Sequence, residues 1–212
     1  GVPGRSLLRV DSDEPAGIAR AALEQGADLV VVGVGVPDRL GRWLFGDLVA
    51  SLCRQAHCPV VMARLNADPA RLGRVLVPVK DLTAGALEQF QLAERFAASA
   101  PARSGDPPVA ITLLHVHDPR LPGPEREALH RQLQRWLPQG SGRSGAVPVA
   151  LELVGAPNVS AAILRRSRDH DLVILRSQRR MVEGLPIPAS DRASALLDRL
   201  RCSTLVISDP LH

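Results

Sequence analysis

The 212-residue chain is 45% hydrophobic and carries a formal charge of +4, a composition that suits a globular protein with a buried core. Its longest apolar run, LVVVGVGV from Leu29, falls well short of the ~20 residues a membrane helix needs, and no signal-peptide pattern opens the sequence, so a cytosolic protein is expected. Aromatic residues make up only 2%, with no tyrosine, and basic residues are interspersed with acidic ones, which argues against a nucleic-acid partner.

Taken in chain order, short runs rich in Val, Ile and Leu alternate with amphipathic stretches. Residues 6–10 (SLLRV) open as a strand, followed by a helical pattern over 15–25, a strand over 27–33 (ADLVVVG), a helix over 46–55 and a strand over 59–65 (PVVMARL). A short linker, 66–73, leads to a second series. It runs strand 74–80 (RVLVPVK), helix 83–98, strand 109–118 (VAITLLHVHD), helix 124–137, strand 147–154 (VPVALELV), helix 159–169, strand 171–177 (DLVILRS), helix 190–200 and strand 203–208 (STLVIS). Continuous apolar strands alternating with helices predict an open, doubly wound α/β fold with a mostly parallel sheet. Thr83 and Ser190 precede helical patterns and are expected to cap them. Segments 101–108 (PARSGDPP) and 138–145 (PQGSGRSG) are predicted loops.

Three cysteines, Cys53, Cys58 and Cys202, are an odd number and suit free thiols in a reducing compartment. Cys53, His57 and Cys58 lack the paired spacing of a zinc site, and no metal is expected.

The two series are copies of one another. ADLVVVG aligns with HDLVILR, which pairs Asp28 with Asp171 and Gly33 with Arg176, both 143 residues apart; Cys58 then matches Cys202 at an offset of 144. The second copy, 74–212, is complete, whereas the first, 1–65, starts only at its third strand. The chain therefore reads as a tandem repeat with a truncated first copy.

The DLVVVG and DLVILR strands, the long loop after each and the CPVVMARL-type last strand resemble the universal stress protein family. The resemblance implies a Rossmann-like, adenine-nucleotide α-hydrolase-like sheet of strand order 3-2-1-4-5. In that order residues 6–10 have no neighbour, which implies that the chain is a fragment of a longer one. It also implies dimer-type pairing of last strands, made here internally as a pseudo-dimer with residues 60–63 antiparallel to 205–208. Members of the family often bind ATP through a Gly-x2-Gly-x9-Gly-Ser/Thr loop, whose glycines let backbone approach a phosphate at a helix N-terminus.

That pattern falls on Gly33, Val36, Gly46 and Asp47 in the first copy and on Arg176, Arg179, Ala189 and Ser190 in the second. Both copies depart from it, and Asp47 sets a negative charge where a phosphate would lie, so Asp47 is read as a helix cap. Lys80, the one lysine of the chain, stands where the family carries a nucleoside-contacting Asp, with Asp81 beside it as a partial replacement. The candidate ligand residues are Lys80, Asp81, His117, Arg176, Arg179 and Ser190 around a basic, anion-accepting crevice of the second copy, with Gly33 and Gly46 in the first. The ligand would be ATP or another adenine nucleotide.

VPVKDL, GRWLFGD and DLVILRSQRR further resemble tandem stress-protein tails on the cytosolic side of bacterial cation/proton antiporters, which implies a transporter domain in the same full-length polypeptide. No Walker loop, nucleophile elbow or paired carboxylates occur, so a non-enzymatic sensor or regulatory module is expected. Two alternatives stay open. One is a free-standing tandem stress protein that binds or slowly hydrolyses ATP; the other is a structural dimerisation module with both pockets dead.

Overall fold

The computed structural model describes residues 4–33, 47–68, 71–100, 107–137, 147–177, 180–182, 185–187 and 196–209. Seven strands form one sheet in the order β1-β2-β9-β6-β3-β4-β5. In chain order they are β1 (Val30–Gly33), β2 (Val60–Arg64), β3 (Arg74–Val79), β4 (Ala110–His117), β5 (Val149–Gly155), β6 (Leu172–Ser177) and β9 (Ser203–Ser208). From β5 to β9 all neighbours are parallel, giving the second copy the order 3-2-1-4-5. The parallel strands are linked through helices α3 (Ala84–Ser99), α4 (Gly123–Trp136) and α5 (Val159–Arg166) and a last helical stretch at residues 196–199.

Local sequence explains these helices. Thr83 holds an extended backbone, and its Oγ1 accepts the Ala86 N–H at 3.2 Å, capping α3 as expected. Ala86, Gln89, Phe90, Ala93 and Ala97 then recur at helical spacing and form the buried face. Phe90 is fully buried and meets Trp136 of α4 in a tilted pair with centroids 6.3 Å apart. Asn158 caps α5 through the Ala161 N–H at 2.9 Å, a cap the periodicity alone does not reveal. The expected cap at Ser190 lies outside the described residues, as do loops 101–106 and 138–146.

The first half contributes α1 (Glu14–Glu24), β1, α2 (Asp47–Gln55) and β2. Its last strand meets the last strand of the second half in antiparallel register: Val60 opposes Ser208, Val61 opposes Ile207, Met62 opposes Val206 and Ala63 opposes Leu205. Both faces of the sheet are continuous across this seam. On one, Leu52, Val60 and Met62 share a core with Val173, Leu196, Leu197, Leu200 and Val206. On the other, Val61 and Ile207 join Val75, Val77, Phe90, Ile111 and Ile174. Each such side chain stabilises by about 1.5–3 kcal/mol on burial, so the seam is part of the core.

Polar contacts finish the seam. Arg64 is buried at the end of β2, where its guanidinium donates to the carbonyls of Leu197 (3.3 Å), Leu200 (2.8 Å) and Cys202 (3.3 Å) and to Thr204 Oγ1 (3.1 Å). A cation is thus set at the C-terminal end of the last helical stretch, where free carbonyls and the helix dipole favour it. Burial pushes the Arg64 guanidinium down from its ordinary value. Asn66 follows, its Nδ2 donating to Arg201 and Cys202 carbonyls and its N–H to Ser203 Oγ. The 66–73 segment is therefore held at its start, and Leu72 is buried near its end.

Two features differ from the sequence reading. Residues 6–10, expected as a strand, form no ladder; Leu8 and Val10 are 93% and 94% exposed. A strand exists only by pairing, and residues 6–10 pair with no strand among the described residues. The second is a two-stranded antiparallel pair, β7 (Arg180–Val182) with β8 (Leu185–Ile187), inside the loop after β6. Among the described residues no helix is long and apolar enough to cross a membrane. Cys53, Cys58 and Cys202 are free thiols, and burial pushes those of Cys58 and Cys202 up.

Candidate functional site

In an open α/β sheet the crevice for a ligand opens at the carboxyl ends of the strands, where successive crossovers leave in opposite directions. Here that switch point lies between β3 and β6, which are neighbours in the sheet. β3 leads through α3 to β4 on one side, and β6 leads to β9 on the other.

Arg176, near the end of β6, dominates this point. Its side chain is only 11% exposed. Nε donates to Asp209 Oδ2 at 3.0 Å, one terminal nitrogen donates to the Gly85 carbonyl at 2.6 Å, and the other serves both Glu88 at 2.9 Å and Asp209 Oδ1. A single planar fork thereby ties the end of β6, the first turn of α3 and the residue after β9 together. The contact depends on Gly85. A Cβ built there would lie 2.6 Å from Nε and 2.7 Å from Cζ of Arg176.

Lys80 and Asp81 follow β3 directly and pair with each other at 3.7 Å, with 88% and 55% of their side chains exposed. They lie at the crevice mouth and reach into solvent. His117 ends β4; its Nδ1 lies 2.7 Å from the Asp118 carbonyl, and its ring backs onto Gly155. One turn of the pleat earlier, His115 has a buried Nδ1 without a hydrogen-bond partner among the described residues, and burial holds its pKa below the ordinary value. The structure thus gathers Lys80, Asp81, His117 and Arg176 on one end of the sheet. Gly33 ends β1 in the other half, and no atom of the described residues lies within 4 Å of where a Cβ would stand. Arg179, Ser190 and Gly46 lie outside the described residues, and so does the side chain of Asp47, the first residue of α2.

The charge balance differs from a purely basic cleft. Lys80 and Arg176 are met by Asp81, Glu88 and Asp209, and the guanidinium best placed for an anion already serves two carboxylates. The space over Gly85 is filled by Arg176 itself. Among the described residues, no group of three or more His, Cys, Asp or Glu side chains could hold a metal ion.

Comparison with known proteins bears on the fold. Residues 1–64 match the universal stress protein family. The Na(+)/H(+) antiporter NhaS5 of Synechocystis sp. is 30% identical over 211 residues, covering 99% of this chain. Residues 1–64 thus resemble universal stress proteins, and the chain along its length resembles part of that antiporter. It spans only 28% of the length of that antiporter. A universal stress protein from Archaeoglobus fulgidus superimposes with a TM-score of 0.61 at 16% identity, over 91% of this chain and 65% of its own. A functionally unknown protein from Pseudomonas aeruginosa PAO1 does so with 0.61 at 19%, over 94% and 69%. At such identity the two structures speak for the shared fold alone.

The partners of Arg176 escape a reading confined to motifs. Gly85, Glu88 and Asp209 belong to no stress-protein pattern quoted above, and Asp209 is 33 residues from the side chain it holds. One signal exists: Arg176 is paired with Ile207 in the parallel ladder, so a residue just beyond the end of β9 comes within reach of a long side chain on β6.

The stress-protein fold makes the Gly85 contact testable. Gly85→Ala is expected to push Arg176 off the Gly85 carbonyl and to cost about 1 kcal/mol, a loss that disappears in an Arg176→Ala background. Denaturant titration of the two single variants and the double variant reads the coupling directly; additive losses would show that the glycine matters for another reason.

Proposed function

We propose that the chain is a non-enzymatic regulatory module carried on the cytosolic side of a cation/proton antiporter. The observation that carries this reading is the 30% identity to a Na(+)/H(+) antiporter along 99% of the chain, in a protein whose halves share one continuous sheet. A module of this kind acts by changing what it touches. The shared sheet and core across the seam would let the module pass a displacement at one end to the other. Cation/proton exchange in vesicles, measured on the parent polypeptide with and without this module, tests the proposal. The module's removal should alter the pH or ion dependence of exchange while transport itself persists. Unchanged dependence would overturn the reading.

A second reading concerns the crevice, and the engaged state of Arg176 favours it. With its guanidinium committed to Asp209, Glu88 and Gly85, the second half takes no nucleotide, and the module works through protein contacts alone. Thermal-shift titration with ATP, ADP and cyclic dinucleotides separates this from nucleotide sensing. A true ligand at 100 times its dissociation constant adds about 2.7 kcal/mol of stability, whereas a closed crevice gives no shift. Sustained release of phosphate from ATP would count against both readings and favour a hydrolase.

A further inference from the structure

β3 and β6 pair through Val75 with Leu172 and Leu76 with Val173, and no further among the described residues. Pro78 of β3 has no N–H with which to extend a ladder. Helix α3 spans the gap at two levels. Gln89, 3% exposed, donates from Nε2 to the Pro78 carbonyl at 3.1 Å and to the Ile174 carbonyl at 2.8 Å. Two residues further along β6 and one turn earlier in α3, the Arg176 fork donates to the Gly85 carbonyl. The first stitch is neutral. The second carries charge, and it gathers two carboxylates from different places: Glu88 of the same helix and Asp209 from beyond β9.

Asp209 holds the stronger position. Arg176 pairs with Ile207 in the parallel ladder, so residue 209 lies two places on along the same face, within reach of a long side chain. Its carboxylate takes both Nε and a terminal nitrogen of Arg176, the bidentate grip by which a guanidinium holds an oxyanion. The Asp209 side chain is 35% exposed and that of Arg176 11%, so the carboxylate is the more exposed of the pair. Ser208, one residue before, opposes Val60 across the seam, which attaches Asp209 to the strand that joins the two halves.

We propose that Asp209 is an autoinhibitory latch: its carboxylate occupies the bidentate edge of Arg176 as an internal anion, and the fork accepts an external oxyanion, a carboxylate or phosphate group, only when the residue after β9 is drawn away. The proposal rests on the reading that the crevice of the second half is closed. Charge sets the direction. With Asp209 in place an approaching anion meets two carboxylates against one guanidinium; without it, Arg176 and Glu88 balance, and the 59% exposed Glu88 side chain is free to turn to water. A shift along the seam moves Ser208 and Asp209 together, so the latch makes anion affinity depend on how the halves are set. By linkage, an anion on Arg176 loosens the end of β9 by the same factor.

Calorimetric titration of the full chain with inorganic phosphate, and separately with ATP, tests the latch in the parent, Asp209→Ala and Asp209→Ala/Arg176→Ala. Asp209→Ala should bind at least one of the two ~10-fold more tightly than the parent, and the double variant should lose that gain. Asp209→Asn removes the charge at nearly constant size and should change affinity in the same direction, which keeps the test in force if Asp209→Ala does not fold. Tight binding by the parent itself would overturn the closed-crevice reading. Parent and Asp209 variants that are equally inert would leave that reading standing and overturn the latch, and a gain that survives loss of Arg176 would overturn it as well.

Discussion

Replacing Val61 with proline is expected to part the two halves of the sheet, at a cost of about 4 kcal/mol. Val61 sits in β2 between two partners, Val31 of β1 on one side and Ile207 of β9 on the other. A residue with a neighbour on each side has no solvent-facing edge toward which a missing N–H could be turned, so proline loses a ladder hydrogen bond in either register. The side chain is also 2% exposed within the core that Ile207 shares, and the pyrrolidine ring fills that space poorly. In a chain of this size such a loss corresponds to a fall in melting temperature of roughly 8–16 °C. Denaturant unfolding together with small-angle scattering checks the outcome, which should be lower stability and a larger radius. A variant as stable and as compact as the parent would mean that the seam does not hold the halves together.

Arg64→Ala should cost about 3 kcal/mol, nearly as much, through a different mechanism. The guanidinium satisfies three carbonyls and one hydroxyl at the junction of the last helical stretch and β9. Truncation takes the guanidinium from the Leu200 carbonyl and Thr204 Oγ1, while the Cys202 carbonyl keeps Asn66 Nδ2 and the Leu197 carbonyl keeps the Leu200 N–H; a buried acceptor left without a donor costs on the order of 1–3 kcal/mol. Arg64→Lys separates charge from shape. A lysine keeps the cation but offers a single point where the fork spans four acceptors, so it should recover less than half of the loss. Thermal and chemical unfolding of the three proteins at equal salt provide the measurement. Equal stability of Arg64→Ala and the parent would show that the junction is satisfied without the guanidinium.

Much of this architecture was legible in the sequence because its signals are local. Apolar runs such as RVLVPV and STLVIS and the helical spacing of Ala86, Phe90, Ala93 and Ala97 depend on residues a few positions apart. The repeat added a long-range constraint that needed no structure. Once Asp28 matched Asp171, the elements of one copy set the expectation for those of the other, whereas the antiparallel meeting of residues 60–63 with 205–208 was what the resemblance to stress proteins implied. Where the reading went astray, a local signal lacked a partner. SLLRV has the composition of a strand, yet pairing is a property of two segments, and residues 6–10, expected to lack a neighbour, form no ladder among the described residues.

The candidate site divides along the same line. That Lys80, Asp81, His117 and Arg176 reach one end of the sheet was implied by their places at strand ends. What those side chains do there was decided by residues far away in sequence. Arg176 reads alone as a free cation facing a cleft; in the fold it is held by Gly85, Glu88 and Asp209. Arg64 reads as the end of a strand and becomes the buried cap of a helical stretch more than a hundred residues later. The sequence alone determined where strands and helices fall and that the halves are related, since periodicity and repetition are written along the chain. Only the tertiary structure decided which charges are spent on one another, because Coulomb and hydrogen-bond partners are chosen by distance in space.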